Sequence, residues 1–424
     1  MVERIRFSSG LELAFRRFKD LKSASIGIWV RRGACTEPLK YKGIAHYLEH
    51  LLFKGSRRYS HKKIKQQIEG RGGQLNAFTS QEITCYFAKT LDKNTSITLD
   101  VLSDMVTSPL LRKQDIDKER GVILEEIRMY NDMPSSRVST MLDSLMWGKH
   151  PLGIDVIGST ETVKRVDQKS LRDFKRTFYR PSNVIVVVCG PEIPPDFKKK
   201  ILKRFNHDSK GPTTAVFPKA KFSAGFKLKE EVTSFEQSHL SLGFPAFSYF
   251  DEQRYALEIA HVILGANMSS RLFEEIREKR GLAYEVATGI RKHRHAGAFI
   301  IHCGLEAKNV SLAFKVILDQ LKKIKHKGVG RLELSRAKDY LLGNLSISLE
   351  STLNSMFYIG ESLCSRNRVI GYKEVEKKIR SISAAEVRAV CRKVLSYDTL
   401  KVAIVTNRKK SYASEIKAIV KRAG

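Results

Sequence analysis

Two histidines and a glutamate stand close together in the segment His46-Tyr47-Leu48-Glu49-His50. On an α-helix, positions four residues apart lie on one face, so His46 and His50 can present two imidazoles to one metal ion. Glu49 lies beside them on the same side of the helix. The alternative is a histidine pair on a solvated helix face. The apolar residues Leu48 and Leu51 to Phe53 argue against it, because they predict that the helix is partly buried.

Two imidazoles leave a catalytic zinc ion short of a protein ligand, and the missing ligand should be a carboxylate or another histidine. The segment 115–126 reads as a helix that could supply it. Glu119 and Glu126 are two helical turns apart and share a face, whereas Glu125 is rotated by about 100°. Taken alone, these glutamates are typical of an exposed helix surface. At this point the third ligand is not decided.

The surrounding pattern predicts the elements that must position these residues. Alternating apolar and polar residues predict a hairpin over 5–15 and an edge strand over 75–87 (LNAFTSQEITCYF). The segment 25–30 resembles a third strand, and the apolar run 184–188 predicts a buried strand. Helical periodicity predicts helices over 43–55, around 64–68, and over 94–106, 113–132 and 171–178. The segment 207–223 mixes Asp, Ser, Gly, Pro, Thr and Lys without a helical period and is interpreted as an interdomain linker.

A weak internal repeat suggests how the chain is divided. The helix and strand of 171–190 resemble 387–405, and 99–127 resembles 317–345. We therefore predict an α+β protein with two homologous domains, each a mainly antiparallel sheet backed by helices. The predicted boundaries are 1–206 for the domain with the histidine motif, 207–223 for the linker and 224–424 for the second domain.

Composition limits the class of protein. The chain has 424 residues and a formal net charge of +31, but its basic residues are dispersed, which is typical of solvated faces. The longest apolar run, Val184 to Cys189, is far shorter than the ~20 residues of a membrane span. The amino terminus lacks the order of a secretory signal, and the six scattered cysteines form no Cys-x-x-Cys pair. These features predict reduced thiols, a cytoplasmic location and no membrane partner.

Taken together, the motifs resemble the pitrilysin/insulinase (M16) family of inverzincin metallopeptidases. The resemblance rests on HYLEH at 46–50, Glu119-Arg120, Glu126, Gly72-Gly73 and the segment Asn76-Ala77-Phe78-Thr79-Ser80. The order His-x-x-Glu-His is the inverzincin signature. In length, the chain is similar to the two-domain branch that includes mitochondrial processing peptidase and its bacterial relatives. The resemblance covers the whole chain.

The resemblance implies a zinc metalloendopeptidase with Zn²⁺ as cofactor. It implies that His46, His50 and Glu126 bind the metal, that Glu49 is the general base and that Glu119 supports the site. Glu125 remains an alternative third ligand, since the interval from His50 to Glu126 differs by about one residue from the family's usual spacing.

The family also implies roles for residues away from the motif. Arg277 and Tyr284 resemble a pair that lies near the substrate and the oxyanion. Asn76, Ala77 and Phe78 would contact an extended peptide or unfolded protein segment that adds to the edge strand. Because the chain has only two domains, the resemblance implies a homodimer in which each active site combines residues from both chains.

The second half has lost the metal motif. Aligning the two halves places Leu257, Ala260 and His261 at the positions of His46, Glu49 and His50, and Gly343 at that of Glu126. A single histidine cannot hold catalytic zinc, so this half is expected to be a scaffold and substrate-binding wall.

Two other classes of function remain alternatives. The first is a non-catalytic assembly or processing-complex subunit of the same fold, and the intact motif favours an enzyme over it. The second is nucleic-acid binding driven by the positive charge, but the sequence has no zinc-finger, RNA-binding or helix-turn-helix signature.

Overall fold

The computed structural model describes residues 2–192, 196–205 and 217–423. The chain forms two compact units, and neither unit is continuous in sequence. The first unit comprises Met1–Arg128, Asp155–Pro218 and Ile347–Ile370. The second comprises Met129–Ile154, Lys219–Ser346 and Gly371–Gly424.

The described residues contain helices and strands in both halves. The strands are β1 (Val2–Arg6), β2 (Glu12–Arg17), β3 (Ser23–Val30), β4 (Gln74–Thr79), β5 (Thr84–Leu91), β6 (Val184–Gly190), β7 (Lys227–Val232), β8 (Ser238–Ala246), β9 (Ala283–Lys292), β10 (Gly297–Leu305) and β11 (Lys401–Thr406). The first eight helices are α1 (Ile44–Leu52), α2 (His61–Ile68), α3 (Thr95–Thr107), α4 (Lys113–Asn131), α5 (Pro134–Trp147), α6 (Thr160–Arg165), α7 (Gln168–Phe178) and α8 (Phe197–Phe205). The others are α9 (Arg254–Gly265), α10 (Val310–Lys327), α11 (Arg331–Ser348), α12 (Thr352–Arg366), α13 (Tyr372–Ser381), α14 (Ala384–Val394) and α15 (Ala413–Ala423).

The sheet of the first unit has the strand order β1-β2-β6-β3-β5-β4. Only β2 and β6 pair in parallel; the other neighbours are antiparallel. One face of this sheet packs with α1, α3, α4 and α7 around a core that includes Ile26, Ile28, Leu48 and Ile123. Strand β4 lies at the edge, so one side of its backbone is available for pairing with another strand.

The sheet of the second unit repeats this arrangement. Its strand order is β7-β11-β8-β10-β9, with β7 and β11 in parallel and the other pairs antiparallel. Each strand has a counterpart at the same position in the first sheet, from β2 and β7 at one side to β4 and β9 at the other. The predicted α+β class, with two similar halves and mainly antiparallel sheets, is therefore confirmed.

Most predicted elements of the first half are present, but the segment 75–87 is not one strand. It forms a hairpin in which β4 and β5 are joined by residues 80–83, and Phe78 pairs with Cys85. The alternating pattern continues through the turn, so the sequence alone did not reveal the break. Of the predicted linker 207–223, residues 207–216 lie outside the described residues, and 217–223 contain no helix or strand.

Each half of the sequence contributes one helix to the unit formed mainly by the other half. The predicted domain boundaries at 206 and 224 are contiguous and do not include this exchange. Helix α12 comes from the second half of the sequence and packs on β3 and β6 of the first unit. Helix α5 comes from the first half and packs on β8 and β11 of the second unit. In the first unit, α12 covers the sheet face opposite α1, where Trp29 and Met356 are fully buried.

All six cysteines are buried, and none of them is in a disulfide. Within the described residues, none of the helices has both the length and the apolar character needed to cross a membrane.

The approach of α12 to β3 gives a stability prediction. A methyl group added at Gly360 would clash with the indole of Trp29, which is fully buried. We expect Gly360→Ala to lower the free energy of unfolding by about 1–3 kcal/mol through overpacking. Gly121→Ala is the matched control, because Gly121 lies inside α4 and its added methyl group would meet no atom within 4 Å. This control should be neutral or stabilising by up to about 1 kcal/mol. Denaturant unfolding of both variants measures the difference, and equal stability would contradict the packing of α12.

Candidate metal centre

Helix α1 carries the histidine motif, and a buried glutamate outside the helix holds its first turn. Glu37 accepts hydrogen bonds from the backbone amides of Gly43 (2.9 Å) and Ala45 (2.7 Å). The carboxylate therefore satisfies two N–H groups that have no partner inside the helix. Burial raises the pKa of Glu37 to about 7, although the two backbone donors and nearby Lys42 act in the opposite direction. The start of α1 is thus fixed by tertiary contacts.

Three side chains converge between α1 and α4. His46 and His50 lie one turn apart on α1, and their ring centroids are separated by 4.7 Å. Glu126 Oε2 lies 3.8 Å from His46 Nε2 and 3.5 Å from His50 Nε2. Each of the three residues offers one ligand atom, and these three atoms all lie within 4.8 Å of one another. Two imidazoles and a carboxylate form the ligand set of a catalytic zinc site.

The state of these side chains also suits a cation. Glu126 Oε2 is buried without a hydrogen-bond donor, although it lies between the two imidazoles. Burial, and to a lesser extent the neighbouring His50, lowers the pKa of His46 to about 4, so its imidazole is neutral at physiological pH. Neutral imidazole is the form that binds metals. The unsatisfied Glu126 oxygen beside the neutral imidazole of His46 is therefore a polar group that a divalent cation could satisfy.

Glu49 lies beside this cluster on α1 and contacts strand β4. Thr79 Oγ1 donates a hydrogen bond of 2.5 Å to Glu49 Oε2. Burial raises the pKa of Glu49, and the hydrogen bond from Thr79 acts against this increase. A carboxylate held in one orientation and made more basic by burial is suited to accept a proton.

Glu119 lies two helical turns before Glu126 on α4, and its side chain contacts His50. Its side chain is only 4% exposed, and Oε2 accepts from His50 Nδ1 at 3.3 Å. Its other oxygen, Oε1, lies 2.5 Å from the ammonium of Lys54. Both carboxylate oxygens of Glu119 are therefore engaged inside the protein.

The packing distinguishes Glu126 from Glu125. The Glu125 side chain is 68% exposed and forms an ion pair with Arg128 on the outer face of α4. Glu126 instead faces the two histidines and is 23% exposed. The rotation between consecutive helical residues separates them, so α4 can direct only one of the pair toward α1.

Strand β4 presents different residues on its two faces. Thr79 is on the face toward Glu49, as is Ala77, which packs against the core beneath α1. Phe78 is on the opposite face, where its ring lies 5.8 Å from that of Trp29 and 5.9 Å from that of Phe357. Asn76 is exposed, and its Oδ1 accepts from the Ala77 amide at 2.8 Å. The side chains of Asn76 and Phe78 are therefore not on the face of Glu49.

Arg277 and Tyr284 belong to the second unit, where the structure brings them together. Arg277 lies in the π-helix Phe273–Glu278, and Tyr284 lies near the start of β9. The guanidinium carbon of Arg277 is 5.5 Å from the centroid of the Tyr284 ring and 4.8 Å from that of Phe273. Tyr284 is 77% exposed, so its hydroxyl is available to a ligand.

In the second unit, the positions aligned with His46, Glu49 and His50 are occupied by Leu257, Ala260 and His261. Leu257 and Ala260 are buried in its core. His261 Nδ1 is paired with Thr288 Oγ1 at 2.7 Å. In residues 2–192, 196–205 and 217–423, no second group of three potential ligands lies together.

Sequence reasoning missed three residues around the site: Glu37 at the start of α1, Thr79 at Glu49, and Lys54 at Glu119. The spacing contained a signal for Lys54, which follows His50 by four residues, and alternation along β4 could have placed Thr79 opposite Phe78. Glu37 has no local signal, because it reaches α1 from a preceding loop.

Two known families match most of this chain. The family described as Insulinase (Peptidase family M16) matches residues 16–160, and the family described as Peptidase M16 inactive domain matches residues 165–341. The first match contains the three convergent side chains and Glu49. The second contains Arg277 and Tyr284.

Similar proteins extend the match over nearly the whole chain. A Bacillus subtilis protein named "Uncharacterized zinc protease YmxG" is 33% identical over 94% of this chain and 97% of its own length. A Streptomyces coelicolor protein named as an uncharacterized zinc protease is 34% identical over 93% of this chain and 87% of its own. The crystal structure of a protease from Helicobacter pylori has the same fold, with a TM-score of 0.89, 22% identity and coverage of 96% of this chain and 99% of that one. This chain therefore belongs to the M16 (insulinase) peptidase family.

Proposed function

We propose that this protein is a zinc-dependent endopeptidase that hydrolyses peptides or unfolded protein segments. The observation that carries the proposal is the convergence of His46, His50 and Glu126 beside Glu49. Family membership supports the proposal, and two bacterial relatives are named as uncharacterized zinc proteases.

In this proposal the three convergent side chains hold the metal through two imidazole nitrogens and one carboxylate oxygen. A zinc ion bound there supplies Lewis acidity, which makes a water molecule more acidic and a peptide carbonyl more electrophilic. Glu119 holds the ring of His50 through Nδ1, and this leaves Nε2 for the metal.

Glu49 acts as general base and then as general acid. It accepts a proton from the attacking water on its carboxylate and returns that proton to the departing amine. Thr79 keeps one oxygen of Glu49 hydrogen-bonded, which restricts the rotation of the carboxylate.

The substrate is proposed to bind as an added strand along β4. An edge strand offers backbone groups to an extended peptide, so affinity depends little on side chains. Asn76, Ala77 and Phe78 contribute mainly through their backbone, since Phe78 packs with Trp29 and Phe357. The Ala77 amide would exchange its bond to Asn76 Oδ1 for one to the substrate.

Arg277 and Tyr284 are proposed to stabilise the oxyanion from a second copy of the chain. Both groups donate hydrogen bonds, and Tyr284 is exposed. In a homodimer with a two-fold axis, each site would combine the metal ligands of one chain with Arg277 and Tyr284 of its partner.

The first test of this function is Glu49→Gln. The amide cannot accept the proton, so we expect cleavage of an unstructured peptide to fall by at least about 100-fold while about one zinc per chain is retained. Peptide hydrolysis and metal content are measured on the same sample. Substantial activity in this variant would show that Glu49 is not the base.

The ligand assignment has a matched control on the same helix. His50→Ala should lose zinc, and Glu126→Gln should weaken zinc binding far more than Glu125→Gln, because Glu125 is exposed and paired with Arg128. Competition with a chelator measures the affinities. The reverse order of the two glutamine variants would transfer the third ligand to Glu125.

Substrate preference gives the next prediction. Strand addition at β4 requires an extended backbone, and a folded protein reaches that state only by local opening at a free-energy cost. We expect unfolded casein-like chains and peptides to be cleaved much faster than a stable, tightly folded protein. Rapid digestion of the folded protein at native sites would contradict strand addition.

Subunit mixing tests the composite site. Glu49→Gln protein is mixed with Arg277→Ala/Tyr284→Phe protein under conditions that allow subunit exchange. Loss of an oxyanion donor typically lowers turnover by about 100-fold or more, so each parent should be nearly inactive. A mixed dimer would contain one site with both defects and one site with none, and activity should rise toward half of wild type for that species. If exchange is shown independently and no activity returns, the pair does not act in a partner's site.

A further inference from the structure

Lys54 lies just beyond the end of α1 and contacts a carboxylate that is almost completely buried. Its ammonium nitrogen is 2.5 Å from Glu119 Oε1, and the contact is an ion pair without the alignment of a hydrogen bond. The Lys54 side chain is 27% exposed, whereas that of Glu119 is 4% exposed. The pair is therefore largely shielded from solvent on the side of Glu119, where its attraction is screened less than at the surface.

The backbone around Lys54 is also fixed. Its amide donates to the Leu51 carbonyl at 3.0 Å, and its carbonyl accepts from Arg112 at 3.1 Å. The carbonyl of the preceding residue, Phe53, is paired with His61 Nδ1 at 2.8 Å. The cation also lies near the carboxyl end of α1, where the helix dipole favours positive charge. The backbone of Lys54 is thus held in place by groups other than Glu119.

Glu119 contacts both Lys54 and His50, and His50 is a proposed metal ligand. Its Oε2 accepts from His50 Nδ1, and because a carboxylate only accepts, Nδ1 carries the hydrogen. The other ring nitrogen, Nε2, then keeps its lone pair and faces Glu126 Oε2 at 3.5 Å. If Lys54 were absent, Oε1 of the buried carboxylate would lose its ion partner, and Glu119 could rotate away from His50.

We infer that Lys54 is a positioning residue of the metal centre: by holding Glu119, it fixes the ring of His50 in the orientation that binds zinc. The inference rests on the proposed function, because it takes zinc as the metal that His50 binds. Lys54 itself contacts neither the metal ligands nor the catalytic base in this arrangement; it acts through Glu119.

The direction of the change in zinc affinity distinguishes a positioning role of Lys54 from a simple effect of its charge. A lysine near a divalent cation repels it, so removal of the charge alone would strengthen zinc binding. Loss of positioning would weaken zinc binding instead, as removal of groups behind a ligand typically does by about 10–100-fold. The two explanations therefore predict opposite changes for the same substitution.

The test measures zinc affinity by chelator competition for Lys54→Met, Lys54→Arg and a control, Lys62→Met. Lys62 is an exposed residue of α2, and its substitution removes the same charge elsewhere on the first unit. We expect Lys54→Met to weaken zinc binding by about tenfold or more. Lys54→Arg keeps the cation and should recover most of the affinity, and Lys62→Met should leave the affinity near that of wild type.

A double-mutant cycle shows whether Lys54 acts through Glu119. In a Glu119→Gln background, Lys54→Met should have little further effect on zinc affinity, because the contact is already lost. Circular dichroism verifies folding, and Lys54→Gln repeats the comparison if Lys54→Met does not fold. Unchanged or tighter zinc binding in Lys54→Met, or an equal loss in the Glu119→Gln background, would overturn the inference.

These outcomes are distinct from failure of the proposed function. If wild-type protein bound no zinc, the proposed function itself would fail. If wild-type protein binds zinc and cleaves peptides but Lys54→Met binds zinc equally well, only the role of Lys54 is refuted.

Discussion

The candidate metal centre depends on the packing of helix α1 against helix α4, an interface in which polar groups meet within an apolar core. Leu48 of α1 and Ile123 of α4 belong to the same buried cluster, and Tyr47 Oη donates to the Ile116 carbonyl at 2.5 Å. Burial of polar groups without partners is costly. Tyr47, His50 and Glu119 each have a partner across this interface, whereas Glu126 Oε2 has no donor. The same packing that stabilises the two helices thus leaves one carboxylate oxygen available for a cation.

The second unit shows that the fold does not require this chemistry. Its five strands repeat the order of β2 to β4 in the first sheet, but its corresponding helix, α9, is lined with apolar residues such as Leu257 and Ala260. Apolar side chains satisfy a helix–sheet interface without any polar network. A repeated architecture can therefore bring three potential metal ligands together in one copy and apolar residues in the other, so the fold alone does not determine the chemistry.

Strand β4 connects the metal centre with the opposite face of the sheet. On one face Thr79 holds Glu49, and on the other Phe78 packs with Trp29 and with Phe357 of α12. Because successive side chains of a strand alternate, a shift of β4 by one residue would exchange these two environments. Packing of Phe78 against α12 thus helps to fix the register that places Thr79 at Glu49. A helix from the second half of the sequence contributes in this way to the first unit.

The sequence by itself determined the features that follow from local periodicity. Helical spacing predicted that His46 and His50 share a face, and that Glu119 and Glu126 share another face two turns apart. The repeat of helix and strand patterns predicted two similar α+β halves, because each pattern reflects the burial of one face of each element.

Only the tertiary structure decided which of these faces meet. The exposure of Glu125, the break between β4 and β5, and the exchange of α5 and α12 could not be read from local patterns. The contacts of Lys54 with Glu119 and of Thr79 with Glu49 join residues that are 65 and 30 positions apart. Periodicity constrains neighbours within a turn or a strand, whereas such distant pairs form only when packing of the whole core brings their elements together.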